Sequence, residues 1–145
     1  MLKDIRVLIV DDESAIRDTL SAYIRNLGYL VETSSNGDDA LVALRGGNYS
    51  LMITDAQMDN GPDGIELTRA ARAEHPSMAI ILMTAFESQY PISAALRAGA
   101  DGYISKPFSL RKFALIFERS YWEALSRLDW WRAHGGDDPD RGTGN

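Results

Sequence analysis

Cysteine is missing from all 145 residues, which removes disulfides, thiolate metal ligands and a cysteine nucleophile together and suits a reducing compartment. Also missing is any apolar stretch near the roughly 20 residues that a bilayer crossing needs. The opening segment, Met1 to Val10, has too short an apolar run for a signal peptide, and acidic residues follow it in place of a small-residue cleavage site. Positive charge is scarce as well: 15 basic residues against 21 acidic give a net charge of −6. No field therefore draws the chain to a polyanion, and direct binding of nucleic acid through phosphate neutralisation is not expected. These absences describe a cytoplasmic protein with no membrane span and no direct nucleic-acid partner.

What is present fits one compact domain. Domains most often run to about 100–150 residues, so a second core is not expected. Hydrophobic residues at 45% and charged residues at 25% are ordinary for a chain that folds. Short apolar runs rich in branched residues alternate with amphipathic segments, which is the pattern of βα units around a parallel sheet buried on both faces. The runs are Ile5 to Val10, Leu30 to Thr33, Leu51 to Thr54, Ala79 to Met83 and Gly102 to Ser105, and they predict five strands.

Between the runs, Ile16, Leu20, Tyr23, Ile24 and Leu27 form one face of a first helix that Gly28 ends. A second helix spans about Asp38 to Leu44, with Gly46-Gly47 as its stop. A third fits Ile65 to Ala73 and is closed by His75-Pro76, where His75 reads as a helix end and not as a ligand. A fourth fits Ile92 to Ala98, and a last one starts near Ser109 with Phe113, Phe117, Tyr121, Ala124 and Leu128 at helical spacing. From Gly135 the composition turns to Gly, Asp, Pro, Thr and Asn. We therefore expect a domain over residues 1–128 and a largely disordered extension over 129–145.

In an open α/β sheet, ligands bind at the carboxyl ends of the strands. Asp11 and Asp12 follow the first strand, Asp55 ends the third, Thr84 the fourth and Lys106 the fifth, so four strands send polar groups to one edge. Three converging carboxylates repel one another unless a cation joins them. Mg²⁺ is a hard ion that prefers oxygen ligands and keeps phosphate in its shell. Together with Lys106 it would bring the formal charge of the three carboxylates to zero. Phosphoryl transfer needs an in-line nucleophile and fixed positive charge on the equatorial oxygens. Lys106 supplies charge and the Thr84 hydroxyl a hydrogen bond.

Val10-Asp11-Asp12-Glu13, Thr54-Asp55, Met83-Thr84-Ala85 and Lys106-Pro107-Phe108, in this order and at strand ends, resemble the receiver domains of response regulators over about Lys3 to Leu125. The resemblance implies a flavodoxin-like, doubly wound (βα)5 fold with strand order 2-1-3-4-5. It implies that Asp55 takes a phosphoryl group from a sensor histidine kinase or a histidine phosphotransfer protein, switching a surface read by a downstream protein target. Asp12 and Asp55 would bind Mg²⁺ directly, Asp11 through water and Gln57 through its backbone carbonyl. Lys106 would hold a phosphoryl oxygen, Thr84 would close on the phosphoryl group, and Tyr103 would be the aromatic that follows that closure. The Lys106-Pro107 bond is usually cis in the family. Such a protein accepts and loses its phosphoryl group autocatalytically and is otherwise not an enzyme.

Some features depart from the family pattern or stand outside it. The usual Met-Pro step after the phosphoacceptor is Met58-Asp59 here, in a loop one residue longer. Ser14 reads as an N-cap, leaving Glu13 no metal role. Phe86, two residues after Thr84, would crowd the attacking water and slow phosphoryl loss. Trp122, Trp130 and Trp131 would divide between the core and the outer face of the last helix, where exposed aromatics suit a homodimer through the fourth and fifth helices. The alternative is a pseudo-receiver that binds without phosphorylation. A haloacid dehalogenase-like phosphatase would need an Asp at Gln57, and a dinucleotide site would need a G-x-G-x-x-G after the first strand.

Overall fold

A computed structural model describes residues 5–134. Five strands and five helices alternate along these residues: β1 (Arg6–Val10), α1 (Ser14–Asn26), β2 (Leu30–Ser34), α2 (Gly37–Gly46), β3 (Leu51–Asp55), α3 (Gly64–Glu74), β4 (Ala79–Thr84), α4 (Ile92–Ala98), β5 (Gly102–Ser105) and α5 (Leu110–Ala133). All strand pairs are parallel, in the order β2-β1-β3-β4-β5. This is the doubly wound, flavodoxin-like (βα)5 architecture expected.

The strand period of two sorts apolar side chains to two cores. On one face Val7, Ile9, Ile53 and Ile81 meet Leu20 and Ile24 of α1 and Phe113 and Phe117 of α5. On the other, Leu8, Met52, Ile80 and Leu82 meet Leu44 of α2, Leu67 of α3 and Ala95 of α4. That two-sided burial is why β1, β3 and β4 are continuous apolar runs, while the edge strand β2 is half exposed. Each large side chain buried in this way contributes about 1.5–3 kcal/mol.

Helix ends are set by polar side chains that the apolar pattern does not reveal. Asn36 caps α2, accepting from the Asp39 N–H at 2.8 Å. Asp63 and Glu66 form a reciprocal capping box at the start of α3, satisfying backbone donors that would otherwise lack partners. Both helices therefore begin one residue earlier than the sequence predicts. Ser14 is not a cap but the first residue of α1. Glu13 holds the cap position without a side-chain capping bond, and the Glu13 N–H donates to Asp11 Oδ1 at 2.9 Å. His75 is the C-cap of α3.

α5 is longer than expected. It continues through Ala133, so residues 129–133, assigned from sequence to the tail, are helical, and the Gly-rich stretch from Gly135 lies outside the described residues. At 24 residues it is about 36 Å long. Trp122 and Trp130 are both exposed on it, and neither completes the core.

The amino-terminal ends of β4 and β5 are held by a salt-bridge network. Arg72 of α3 pairs with Asp101 at 2.8 Å and donates to the carbonyls of Gly99, Pro76 and Met78. Arg127 of α5 reaches the other Asp101 oxygen, and the Ile80 N–H donates to the same carboxylate at 3.0 Å.

Candidate functional site

The carboxyl ends of β1, β3, β4 and β5 carry the groups that the sequence assigns to them. Carboxylate oxygens of Asp11, Asp12 and Asp55 all lie within 4.8 Å of one another. Asp11 is fully buried, Asp55 nearly so, and Asp12 opens to solvent. The Lys106 ammonium sits among them, 2.9 Å from Asp11 Oδ2 and 3.2 Å from Asp55 Oδ1. Asp12, Asp55, Gln57, Phe86 and Lys106 line one cleft. Larger grooves run elsewhere, chiefly along α5, so chemistry and not size marks this site.

Backbone hydrogen bonds fix where Asp55 points. The Ala56 N–H donates to the Met83 carbonyl at 2.7 Å and the Lys106 N–H to the Thr84 carbonyl at 2.7 Å, extending the ladders of β3–β4 and β4–β5 past the strand ends. The Lys106-Pro107 bond is cis, as in the family. The loop after Asp55 closes where the Gly64 N–H meets the Ala56 carbonyl at 2.8 Å. A Cβ on Gly64 would stand 2.1 Å from the Asp55 carbonyl oxygen, so only glycine lets α3 start so close to the nucleophile's backbone. Within this loop a turn places Asn60 and Gly61 both at positive φ, 60° and 83°. Asn and Gly are the residues that tolerate that conformation.

Electrostatics divide the cluster. Burial, then the charge of Asp11, pushes the Asp55 carboxyl up to about 6 against the opposing pull of Lys106. Burial likewise raises Asp11, opposed by the Glu13 N–H and Lys106. For Lys106, burial would lower the ammonium, but the hydrogen bond to Asp11 and the charge of Asp55 prevail and hold it above its ordinary value. Both Asp11 oxygens are engaged, one by the Glu13 N–H and one by Lys106. The oxygens best able to turn toward an added cation are those of Asp12 and Asp55.

Around this centre, Thr84 is buried, and its hydroxyl oxygen accepts the Phe86 N–H at 2.9 Å, leaving the hydroxyl proton to donate. The Tyr103 hydroxyl donates to the Tyr90 carbonyl at 2.6 Å, tying β5 to the loop after β4. Ser105 ties the same loop through Glu87 at 2.5 Å. Phe86 is half exposed at the cleft's edge. Sequence reasoning passed over Glu13, whose carboxylate stands 3.4 Å from Lys106. The Asp-Asp-Glu run was its signal, set aside because Ser14 looked like the cap.

With this geometry in view, comparison with known proteins gives the family. Residues 7–118 match the response regulator receiver domain, and the chain belongs to that family. It is 36% identical over 121 residues to the chemotaxis protein CheY of Pseudomonas aeruginosa, covering 79% of this chain and 97% of CheY. It is 38% identical over 110 residues to the transcriptional regulatory protein ResD of Bacillus subtilis, covering 76% of this chain but only 45% of ResD. Among solved structures, a CheY-like receiver domain from Methanospirillum hungatei superposes with a TM-score of 0.80 at 29% identity, covering 86% of this chain and 99% of that one. The response regulator TrrA of Thermotoga maritima, solved in complex with Mg²⁺-BeF, gives 0.71 at 34% identity, covering 80% and 98%. No described helix is long and apolar enough to cross a membrane.

Proposed function

We propose that this receiver accepts a phosphoryl group on Asp55 from a phosphohistidine of a sensor kinase or a histidine phosphotransfer protein. The observation that carries the reading is the Lys106 ammonium set between Asp11 and Asp55 within a cluster of three carboxylates. An Asp55 oxygen attacks phosphorus in line as the N–P bond breaks. The leaving imidazole keeps the bonding pair and an acyl phosphate forms. Lys106 steadies one phosphoryl oxygen, and the Thr84 hydroxyl is placed to donate to another.

The oxygen-only donor set fits Mg²⁺, and the Mg²⁺-BeF complex of TrrA supports the same choice here. Asp12 and Asp55 would hold the ion directly, with Asp11 acting through water and Gln57 through its backbone carbonyl. When bound, the ion supplies positive charge that offsets the crowded carboxylates and the incoming phosphoryl oxygens. Engagement of Thr84 would shift the loop after β4, and Tyr103, bonded to that loop, would pass the shift to β5 and the α4–α5 side. There a downstream protein or a second copy of this chain would read it, in the cytoplasm. Phosphoryl loss is autocatalytic, and the Phe86 ring at the cleft's edge slows the approach of water.

Intact mass after acetyl phosphate and Mg²⁺ tests the reading. One phosphoryl group should appear on wild type, vanish with chelator and be absent from Asp55→Ala. No uptake from acetyl phosphate or from a phosphohistidine donor would leave the pseudo-receiver, a binding module working without phosphorylation. Phe86→Ala should shorten the phosphoryl lifetime several-fold, and an unchanged lifetime would remove Phe86 from the account.

A further inference from the structure

Beside the three carboxylates of the phosphoacceptor cluster stands a fourth. Glu13 lines the cleft with Asp12, Asp55 and Lys106, and its Oε1 lies 3.4 Å from the Lys106 nitrogen. Among the described salt bridges Lys106 is its one partner, and that ammonium is closer to Asp11 and Asp55. The Glu13 side chain is 63% exposed against 10% for Lys106. Solvent, and any donor arriving through it, therefore meets the carboxylate more than the ammonium.

The backbone keeps this charge at the rim. Glu13 occupies the N-cap of α1, its N–H is tied to Asp11 Oδ1, and its carbonyl accepts the Arg17 N–H at 3.2 Å. Arg17, one turn along α1, is turned away from the cleft: its guanidinium donates to the Asp11 carbonyl at 2.7 Å and does not line the cleft.

Lys106 and a bound Mg²⁺ cancel the charges of Asp11, Asp12 and Asp55, and the Glu13 carboxylate is then surplus. A free dianion that approaches Asp55 is repelled by it. A donor that carries positive charge of its own, such as a protein with a basic side chain beside its phosphohistidine, offsets the same carboxylate. A charge at a rim acts mainly on encounter and on its salt dependence.

We propose that Glu13 selects the phosphoryl donor, its surplus charge slowing transfer to Asp55 the more negative the donor is. The inference rests on the phosphoacceptor reading of Asp55 given above.

Rates of phosphoryl uptake by the full chain, read as intact mass at fixed Mg²⁺, test it with two donors. Acetyl phosphate is a dianion at neutral pH, whereas phosphoramidate, protonated on nitrogen, carries a single negative charge. With either, an Asp55 oxygen bonds to phosphorus as the O–P or N–P bond breaks, and acetate or ammonia leaves with the bonding pair. At low ionic strength Glu13→Gln should react with acetyl phosphate about two- to fivefold faster than wild type and gain less with phosphoramidate. Added salt should narrow the gap. Glu74→Gln removes the same charge from the exposed end of α3 and should leave the rate unchanged. Calorimetry should show the Mg²⁺ affinity of Glu13→Gln reduced by less than about tenfold; a greater loss would make Glu13 a support of the metal site and overturn the inference. Equal gains with both donors, a gap indifferent to salt, or an equal gain in Glu74→Gln would overturn it too. If wild type and Glu13→Gln react at the same rate, the inference falls and the phosphoacceptor reading stands. If neither reacts, both fall.

Discussion

Asp55 and Asp101 lie at opposite ends of the same sheet, and their side chains are 9% and 6% exposed. Asp101 accepts from two guanidiniums and a backbone N–H, with no other carboxylate paired to either guanidinium among the described salt bridges. Asp55 shares one ammonium with Asp11 and Glu13, and has Asp12 beside it. The first carboxylate is more than neutralised and the second is short of positive charge. Burial of an ion stabilises only where partners compensate the loss of water, so one end of the sheet holds the fold together and the other sets folding against function.

The largest effect should come from undoing the satisfied end. Asp101→Asn leaves Arg72 and Arg127 facing an amide, and we expect a loss of about 2–4 kcal/mol, below the figure for a fully buried pair because Arg127 reaches solvent. Urea denaturation measures it, and a loss under about 1 kcal/mol would erase the contrast between the two ends.

The opposite sign is expected at the other end. With Mg²⁺ chelated at pH 7, Asp55→Asn should be more stable than wild type by about 1–3 kcal/mol, because it removes a crowded charge. The pH dependence follows from the raised Asp55 carboxyl. Its folded value is about 6 against about 3.9 when unfolded, so the folded state favours the protonated form. The penalty is absent below the unfolded value, grows as pH rises through the window from about 4 to about 6, and is complete above it. Thermal melts of both proteins across that window should therefore converge in acid. A gap that stays constant with pH would place its cause outside the Asp55 charge. Adding Mg²⁺ should close the gap from the wild-type side.

Glu13→Gln should move stability by no more than about 0.5 kcal/mol, because its carboxylate is exposed and its contact with Lys106 is long. A larger change would mean that the ammonium is shared among three partners more evenly than the distances indicate.

How much of this could be read from sequence follows from the range of each interaction. Strands buried on both faces announce themselves as unbroken runs, so β1, β3 and β4 and the strand-end residues Asp11, Asp12, Asp55, Thr84 and Lys106 were legible, and the structure brings the three carboxylates and Lys106 together. The caps at Asn36 and Asp63 were not, because polar residues before a helix look alike whether or not they bond to it. Asp101 gave no signal at all: its partners Arg72 and Arg127 are 29 and 26 residues away in the chain, and no local pattern links them. The last residues of α5, 129–133, were hidden for another reason. The stripe that faces the core stops at Leu128, and beyond it Trp130 lies on the exposed side, where periodicity has no core face to follow.

Arg72 has a wiring role. One planar side chain serves the α3–β4 turn, the residue that ends α4 and the residue that opens β5, a set of directions that only a fork of several N–H donors can meet at once. Lysine would keep the charge and lose the fork. The amino-terminal edge of the sheet is thus a circuit whose main junction is Arg72, with a second path through Arg127 to Asp101 and the Met78 carbonyl, and a conservative exchange at Arg72 would loosen three segments together.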